Sequence, residues 1–521
     1  MDGTHVALRV PRSLVKQVKT ALEAQNLLNK SKRITTAING ADEKSTETYM
    51  TLYTSIPCVP DNEASTSTIL GDLGLPTSIS HSISTSTYIA TTSGNTSKSS
   101  NNPLTNGLRN GLQILPIELL ESLDLTIETL LSSFPDAYSI YKPLLLLPPN
   151  AFTSNPWNTL ISAHPVTSQA LQPVWNSLVT STGTTHLALN AGIPLQKSAS
   201  PPETSTSISN PPGSDNTFRS PLNLTPIYPP SFTPPPPTVN PTSLNFDSAL
   251  WVSHTQNGIH QVWAPLYTMF SRGNVKEKAR ILSLPSVKSS VTNNLTGCTA
   301  VDLYAGIGYF AFSYRKAGVR KVLGWEVNAW SVEGFRRGAA RNGWHTTVVA
   351  GDALPGTREN WRTWGRNFKD HDAVRGQKGD DVNVDFVVFQ QSNEFALDAV
   401  AALQPSKFGK ANSEEDEADV IPPVRHVNCG FLPSSELSWR TAVRVLDREH
   451  GGWIHAHENV GIGDIEKRSE EVAMEINGHV DAWEAERVGV ERSVRCEHVE
   501  KVKTYAPGVM HVVFDVWVSG I

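Results

Sequence analysis

Apolar and polar residues alternate in a regular way along the second half of this chain. Apolar runs that end at polar or turn-forming residues predict six β-strands: Ala300 to Leu303, Val322 to Trp325, Thr346 to Ala350, His426 to Phe431, Gly452 to His457 and His511 to Val518. Helix-like segments lie between most of these runs. Strands that alternate with helices predict an α/β fold, in which a parallel sheet is covered by helices on both faces.

The first half of the chain has a weaker pattern. Leu14, Val18 and Leu22 recur at helical spacing after Ser13, a residue type that caps helices. They predict a short amphipathic helix with basic residues around it. Further on, a helix-like run, LPIELLESLDLTIETLLSSF, precedes a strand-like run, PLLLLPP. The N-terminal region is therefore predicted to be mixed α+β.

Segments of biased composition divide the 521 residues, which are too many for one compact core. Residues 63–106 are rich in Ser, Thr and Asn and predict a disordered insertion. Residues 198–248 contain 13 of the 35 prolines and predict an extended linker. The remaining parts are an α+β segment over 1–62, an α+β domain over 107–197 and an α/β domain over 249–521. An insertion that includes an acidic stretch, Lys407 to Val420, interrupts the α/β domain.

Charge and cysteine content exclude several classes of protein. The net charge of −6 argues against a generally basic surface, but it permits a local basic face that binds nucleic acid. The four cysteines lie far apart and form no Cys-x-x-Cys pair, so neither a zinc site nor a disulfide framework is predicted. No apolar run approaches the roughly 18 residues of a membrane span. We therefore expect a soluble protein of the cytoplasm.

The segment VDLYAGIGYFAFSYRKAGVRKVLGWE, from Val301 to Glu326, has the residue types that bind a nucleoside. Gly306 and Gly308 let the backbone approach a ligand, and an acid about 20 residues downstream can bind two ribose hydroxyls. Asp352 follows the next predicted strand and can reach the base. Ala311 stands where a dinucleotide site has its third glycine, which favours S-adenosylmethionine. The alternative is that both acids only cap helices.

Polar residues near this segment are further candidates, each with a structural alternative. Ser271 and Lys278 can hold a carboxylate or a phosphate, or they belong to a solvated helix. Asp302 can bond to the turn or to the amino acid end of a cofactor, or it is an ordinary acid at a strand end. Asn428 follows a predicted strand where base-modifying enzymes present polar groups, although Asn is also a common turn residue.

The segment HAHENVG also permits a metal site, because its two histidines, His455 and His457, lie on one face of a strand. No third ligand follows at suitable spacing. We therefore expect no metal and a buried strand with hydrogen-bonded imidazoles.

These motifs, together with WAPLYTMFSRGNVKEKARIL, HVNCGFLPSSELSW and VKTYAPGVMHVVFDVWV, closely resemble the eukaryotic tRNA wybutosine-synthesising protein 2 family. The resemblance covers roughly 251–521, with an insertion over about 358–423, and weaker matches lie at the start of the chain and over 173–194. The family is similar to the tRNA guanine-37 N1-methyltransferases.

The resemblance implies a class I S-adenosylmethionine-dependent fold, with an N-terminal region whose 107–197 domain faces RNA. It implies transfer of the 3-amino-3-carboxypropyl group of S-adenosylmethionine to carbon 7 of 4-demethylwyosine at position 37 of phenylalanine tRNA. Methylthioadenosine is the co-product. We expect a monomer that acts on this tRNA without a metal ion.

The resemblance also assigns residues. Ser271 and Lys278 contact the cofactor, Glu326 binds its ribose hydroxyls, and Asp352 with Ala353 meets the adenine region. The family often has Asn in place of Ala353, so only a backbone contact transfers there. Leu266 replaces the arginine of the family's Ala-Pro-Arg-Tyr segment, which leaves that arginine's contact without a counterpart.

Two other functions remain as alternatives. A guanine-37 N1-methyltransferase shares the fold, but it usually has Asn-Leu-Pro after the fourth strand, where this chain has Asn428, Cys429 and Gly430. A non-catalytic RNA-binding module with a decayed nucleoside site is disfavoured by the intact glycines and acids.

Overall fold

The computed structural model describes residues 4–25, 27–29, 34–36, 49–57, 66–89, 102–190, 224–233, 241–292, 297–377, 384–404, 421–487 and 490–521. It divides into two compact units, Met1–Ser100 and Asn101–Ile521. Among the described helices, none has both the length and the apolar character that a membrane span requires.

The first unit is a small antiparallel sheet with helices. Its elements are β1 (Thr4–Pro11), α1 (Val15–Ala24), β2 (Thr35–Thr36), β3 (Tyr49–Pro57), α2 (Thr66–Asp72), a 3-10 helix (Thr77–Ser82) and β4 (Ser84–Ile89). The described strands have the order β2-β3-β1-β4. Leu8 and Val10 of β1 pack with Val18 and Leu22 of α1 in the core. The predicted helix is confirmed, but its N-cap is Leu14, not Ser13.

The prediction of disorder over 63–106 is wrong for residues 66–89, and α3 begins within its last residues. β4 pairs with β1 along six residue pairs. Ile69, Leu70 and Ile83 are buried in the core of the first unit. The segment has few large apolar residues, but Ile69 and Leu70 of α2, and Ile83 just before β4, reach the core. A Ser/Thr-rich average hides such a pattern, because Thr is itself a good strand residue.

The second unit begins with an α+β region. Its elements are α3 (Pro103–Ile114), α4 (Ile117–Glu121), α5 (Ile127–Ser133), β5 (Ser139–Tyr141), β6 (Leu144–Leu147), α6 (Asn155–Ala163), a 3-10 helix (Gln169–Leu171), α7 (Gln172–Ser181), β7 (His186–Leu189) and β8 (Thr225–Tyr228). The strands form a sheet in sequence order. β8 pairs with β7 although it lies within the predicted linker, so 198–248 is not linker throughout. Residues 191–223 and 234–240 lie outside the described residues.

The C-terminal part begins with α8 (Ser243–Ser248), β9 (Val252–Gln256), β10 (Ile259–Trp263), α9 (Val275–Ile281) and α10 (Pro285–Thr292). The large sheet and its helices then follow: β11 (Thr299–Asp302), α11 (Ala311–Lys316), β12 (Lys321–Trp325), α12 (Ala329–Arg341), β13 (Thr346–Val349), α13 (Arg358–Gln377), β14 (Phe386–Phe389), α14 (Ala396–Leu403), β15 (Val424–Cys429), α15 (Trp439–Val445), β16 (Gly452–Gly461), α16 (Ile465–Ala485), β17 (Val494–Ala506) and β18 (Val509–Val518). Short 3-10 helices lie at Arg272–Asn274, Gly351–Ala353, Asn393–Phe395, Glu436–Ser438 and Ile462–Asp464.

The eight described strands of this sheet have the order β13-β14-β12-β11-β15-β16-β18-β17. The strands from β13 to β16 are parallel, and β18 is antiparallel to both of its neighbours. Every residue of β11, β12 and β14 is buried, as expected for strands with helices on both faces. The predicted α/β fold is confirmed.

Two strands of the sheet, β14 and β17, are absent from the predicted set. β14 lies within the predicted insertion over 358–423, yet it pairs with β12 near the middle of the sheet. Its four-residue run, FVVF, is too short to distinguish a strand from a buried helix by periodicity alone. α13, β14 and α14 lie within the predicted insertion, over 358–377 and 384–404, so this part of it belongs to the folded α/β domain. The acidic stretch falls within 405–420, outside the described residues.

Candidate functional site

Four loops meet at the carboxyl edge of the parallel strands. They follow β11, β12, β14 and β15, and the chain turns from one side of β11 to the other when it enters β15. Open α/β sheets bind their ligands outside the carboxyl ends of the strands at such a point.

The loop after β11 is a tight glycine turn. Gly306 has a φ of +53° and Gly308 a φ of +88°, in a region that residues with a Cβ atom seldom adopt. A Cβ atom at Gly308 would lie 2.5 Å from the ring of Phe312. The conformation therefore requires both glycines and keeps side chains away from the backbone at this edge.

Glu326 follows β12 directly and closes this turn. Its Oε2 accepts a hydrogen bond from the Gly306 amide at 3.0 Å, and its Oε1 accepts one from the Asn328 amide at 2.7 Å. Burial raises the pKa of Glu326 to about 7, although both amides favour the charged form. The carboxylate joins the glycine turn to the start of α12, and its remaining lone pairs can accept hydroxyl hydrogen bonds.

Lys278 lies on α9 with its amine buried. Nζ donates hydrogen bonds to Oε1 of Gln261 at 2.8 Å and to Oε1 of Gln256 at 3.0 Å, and the Ser271 carbonyl lies 3.4 Å away. Burial, and then the charge of Lys503, lowers the pKa of Lys278 to about 7. Neutral acceptors surround the amine, and none of the described carboxylates forms an ion pair with it. Such an amine can receive an anionic ligand.

Tyr309 connects this amine to the glycine turn. It follows Gly308 in sequence, and its ring centroid lies 5.2 Å from Lys278 Nζ. Its hydroxyl donates a hydrogen bond to the carbonyl of Met269, two residues before Ser271. The structure therefore brings the segment with Ser271 and Lys278 next to the glycine turn.

Arg280 fixes the position of α9 on the sheet. It donates hydrogen bonds to both carboxylate oxygens of Asp515 on β18, at 2.5 and 3.0 Å, and to both oxygens of Glu277, at 2.8 and 2.7 Å. Asp515 also contacts Nδ1 of His455 at 2.7 Å. A buried ion pair needs such complete hydrogen bonding to offset desolvation. This network holds Lys278 in place from the far side of its helix.

Asp302 and Asn428 face each other across neighbouring strands. Asn428 Nδ2 donates a hydrogen bond to Asp302 Oδ1 at 3.0 Å. Burial raises the pKa of Asp302 to about 6. Within the part of the chain that the structure describes, Oδ2 of Asp302 and Oδ1 of Asn428 accept no hydrogen bond. Buried polar atoms of this kind need a partner, so this pair can receive the N–H groups of a ligand.

The structure does not bring Asp352 and Ala353 together with the other predicted residues. Both are exposed and lie in the 3-10 helix after β13, the edge strand of the sheet. β14 separates β13 from β12, and therefore from Glu326.

The residues after β14 lie where Asp352 was expected. Asn393 Nδ2 donates a hydrogen bond to the Leu303 carbonyl, next to the glycine turn, at 2.9 Å. Nε2 of Gln391 is buried and has no partner among the described residues. The sequence offered one signal for this loop: the apolar run FVVF followed by polar residues, the same pattern that marks Glu326.

An aromatic pair closes one side of the edge and was also absent from the predicted site. The rings of Tyr304, after β11, and Phe431, after β15, stack with centroids 4.9 Å apart. The side chains of Asn393 and Ser438 lie against the Tyr304 hydroxyl, whose pKa is raised mainly by burial. This pair spans the loops after two neighbouring strands.

The two histidines of HAHENVG are buried in β16. His455 contacts Nδ1 of His426 at 3.1 Å, and Nδ1 of His457 lies 3.0 Å from Nε2 of His511. Burial lowers the pKa of His457 well below its usual value, so it is neutral. Across the described ranges, no group of three or more His, Cys, Asp or Glu side chains has the arrangement of a metal site.

These residues fit S-adenosylmethionine. The bare backbone at Gly306 and Gly308 and the carboxylate of Glu326 suit the nucleoside end. The buried amine of Lys278 suits the carboxylate of the amino acid end, and the free oxygen of Asp302 suits its ammonium group.

Solved structures have only a weak likeness to this chain. A TYW2 of P. horikoshii, in complex with MeSAdo, has a TM-score of 0.41 and 16% identity over 78% of this chain and 99% of its own. A TYW2 of M. jannaschii, in complex with AdoMet, has a TM-score of 0.33 and 17% identity over 53% and 88%. Likenesses with TM-scores this low bear neither on the fold nor on the function.

Curated sequences are much closer. The tRNA wybutosine-synthesizing protein 2 of Schizosaccharomyces pombe is 35% identical over 382 residues, which cover 73% of this chain and 72% of that protein. The protein of the same name from Saccharomyces cerevisiae is 29% identical over 412 residues, with coverage of 74% and 75%. No family model matches the chain. The extent of the match to the first relative shows that this chain belongs to the tRNA wybutosine-synthesizing protein 2 family.

Proposed function

We propose that this protein transfers the 3-amino-3-carboxypropyl group of S-adenosylmethionine to carbon 7 of 4-demethylwyosine at position 37 of phenylalanine tRNA. Its membership of the family supports the reaction. The observation that carries the proposal in the structure is the buried amine of Lys278, which lies beside the glycine turn and has no carboxylate partner among the described residues. An enzyme that directs the amino acid end of the donor toward the base must hold that end firmly.

In this proposal the donor lies along the edge from β14 to β15. Glu326 accepts hydrogen bonds from the ribose hydroxyls, while Lys278 and the Ser271 segment hold the donor's carboxylate. We assign the adenine end to Gln391 and Asn393, because β14 is the strand next to β12. Asp352 and Ala353, on the exposed edge, are not part of this assignment.

We place the acceptor base at the β15 end of this edge. Asn428 orients it, since Oδ1 of Asn428 has no partner in the described part of the chain and can accept an N–H of the base, while Nδ2 donates to Asp302. When bound, S-adenosylmethionine supplies a sulfonium centre with an electrophilic carbon on the aminocarboxypropyl chain and a thioether leaving group. The protein then contributes position and exclusion of water and needs no covalent nucleophile.

The identity of the co-product tests this function. The purified protein is incubated with S-adenosylmethionine and phenylalanine tRNA that carries 4-demethylwyosine, and the small-molecule products are separated by chromatography. We expect methylthioadenosine in amounts equal to the modified base. Release of S-adenosylhomocysteine marks methyl transfer and would contradict the proposal. The guanine-37 N1-methyltransferase alternative is tested in parallel with phenylalanine tRNA that carries an unmodified guanine at position 37.

We also propose that the protein works as a monomer in the cytoplasm. Sedimentation of the full chain at micromolar concentration and fractionation of cells that express it would check both points. A dimer, or retention in an organelle fraction, would contradict them.

A further inference from the structure

A basic surface lies next to the donor site, although the protein has a net charge of −6. We call it the hairpin patch. It consists of Arg272 and Lys276, at the start of α9, and Lys501, Lys503 and Tyr505, near the end of β17. Arg272, Lys276, Lys501 and Tyr505 are exposed, and Lys503 is partly buried.

The hairpin of β17 and β18 places this patch at the ligand edge of the sheet. The last residue of β17, Ala506, pairs with Val509, and Val509 pairs with Gly461, the last residue of β16. The end of β17 therefore lies beside the carboxyl end of a parallel strand, the edge that carries the donor site. β17 is also an edge strand of the described sheet, so no further described strand pairs with its outer side.

Irregular pairing in β17 turns its lysines toward the loop before α9. The register with β18 shifts between Lys501 and Lys503, as it does at a β-bulge, which redirects side chains. A Cβ atom at Gly273 would lie 2.6 Å from Lys503 Nζ. Lys276 Nζ donates a hydrogen bond to the Lys501 carbonyl at 2.8 Å. The two halves of the patch are thus in direct contact.

Glu500, the acidic residue that precedes Lys501, is already neutralised. Glu500 forms an ion pair with Lys276 at 2.5 Å and lies 3.2 Å from Nε2 of His498. Among the described residues, no carboxylate forms an ion pair with Lys501 or Lys503. The Arg272 guanidinium donates a hydrogen bond to the neutral Ser139 hydroxyl at 3.2 Å, and no described carboxylate forms an ion pair with it. The patch keeps an excess of positive charge that its own acids do not cancel.

Tyr505 adds a flat apolar group to this charge. Its side chain is 44% exposed, and no described aromatic ring stacks on it. Basic side chains around an exposed aromatic ring are the arrangement that binds unpaired nucleotides, with amines on the phosphates and the ring against a base.

We propose that the hairpin patch binds the RNA backbone next to the target nucleoside, with Lys501 and Lys503 on phosphates and Tyr505 stacked on a neighbouring base. This inference rests on the proposed function, because it takes RNA as the substrate. It adds the surface that holds the RNA and explains how an acidic protein can bind a polyanion.

The double variant Lys501→Ala with Tyr505→Ala tests the patch. Tyr505 and Lys501 are both exposed, so neither change should unfold the protein. We expect the affinity for phenylalanine tRNA to fall about tenfold, and the slope of log affinity against log salt to decrease in magnitude by about 1. Filter binding at salt concentrations from about 50 to about 300 mM measures both quantities. The affinity for S-adenosylmethionine, measured by calorimetry, should stay unchanged.

Arg495→Ala is the matched control. Arg495 lies on the same strand and is exposed, but its guanidinium pairs with Glu497 at 2.6 Å and lies 3.9 Å from the Trp517 ring. It should bind tRNA as the unchanged protein does. If the double variant keeps the affinity and salt slope of the unchanged protein, the patch proposal fails while the proposed function stands. If the unchanged protein releases no methylthioadenosine, the proposed function fails, and the binding data still decide on the patch.

Discussion

The two halves of the nucleoside site differ in how they are built from the chain. In the proposed donor site, the ribose half uses Gly306 and Glu326, which lie after the consecutive strands β11 and β12 and are joined by one hydrogen bond. In the same proposal, the base half uses the loop after β14, which the chain reaches only after it has formed β13 at the edge of the sheet. A site made by a single β-α-β unit is contained in one segment of sequence. A site completed by a strand inserted between two others depends on the order of strands in the sheet.

The strongest way to break the ribose half is Glu326→Ala. The variant loses the acceptor for the ribose hydroxyls and also the bonds to the amides of Gly306 and Asn328. Hydrogen bonds to a charged group contribute about 1.5–3 kcal/mol each, so we expect the affinity for S-adenosylmethionine to fall by roughly 100-fold or more. Calorimetry measures it. The affinity of Glu326→Gln, which keeps the shape and one acceptor oxygen, should fall by less. Equal losses of affinity in both variants would indicate a general collapse of the turn.

A second prediction concerns how donor binding depends on pH. Lys278 lies in neither half, but its Nζ lies 5.2 Å from the ring of Tyr309, which directly follows the glycine turn. The pKa of Lys278 is about 7, because burial disfavours its charge, and that of Glu326 is raised to about 7. In the proposed donor site, Lys278 acts as an ammonium group and Glu326 as a carboxylate. Affinity for S-adenosylmethionine should therefore pass through a maximum near neutral pH and fall on both sides, by up to about tenfold per pH unit.

Lys278→Met should lower the affinity at neutral pH by about 30-fold, in line with the loss of one charge-assisted bond. It should also remove the fall on the alkaline side and leave the fall on the acid side. Calorimetric titrations from about pH 5.5 to about pH 9 separate the fall on the acid side from the fall on the alkaline side. A variant that keeps the alkaline fall would show that another group causes it.

Most of the fold and the ribose half could be predicted from the sequence. The runs around Val301 and Val322 are bounded by turn residues, and the pair of glycines with an acid beyond them has a known physical role. β14 could not be predicted, because four apolar residues within a polar region do not define a strand. β4 was missed for a related reason, since Ser and Thr dominate its composition. Both strands are specified by the partner they join, β12 or β1, and not by their own pattern.

The position of Asp352 could not be predicted either, for the same physical reason. In sequence order β13 is the third strand of the large sheet, which predicts that the adenine base lies beside Asp352, the acid that follows it. The order of strands in the sheet differs from their order along the chain. β14 pairs with β12 and therefore lies between β12 and β13. Strand order is set by long-range pairing, which one sequence does not reveal.

The smallest expected effect discriminates between the two candidates for the base half. Asn393→Ala removes a side chain that bonds to the Leu303 carbonyl at 2.9 Å, beside the glycine turn. One neutral hydrogen bond contributes about 1 kcal/mol, so the affinity for S-adenosylmethionine should fall about fivefold to tenfold. Asp352→Ala, at an exposed position after β13, which two strands separate from β11, should change it by less than about twofold.

Both variants should also be compared with adenosine alone as the ligand in the same calorimetric experiment. Adenosine lacks the amino acid end, so any loss of its affinity must arise at the ribose or the base. If Asn393→Ala weakens adenosine as much as it weakens S-adenosylmethionine, the defect lies in the nucleoside half, as the position of β14 requires. The reverse result, with Asp352→Ala the weaker binder of adenosine, would place the base beside β13 and would mean that the ligand contacts the edge of the sheet.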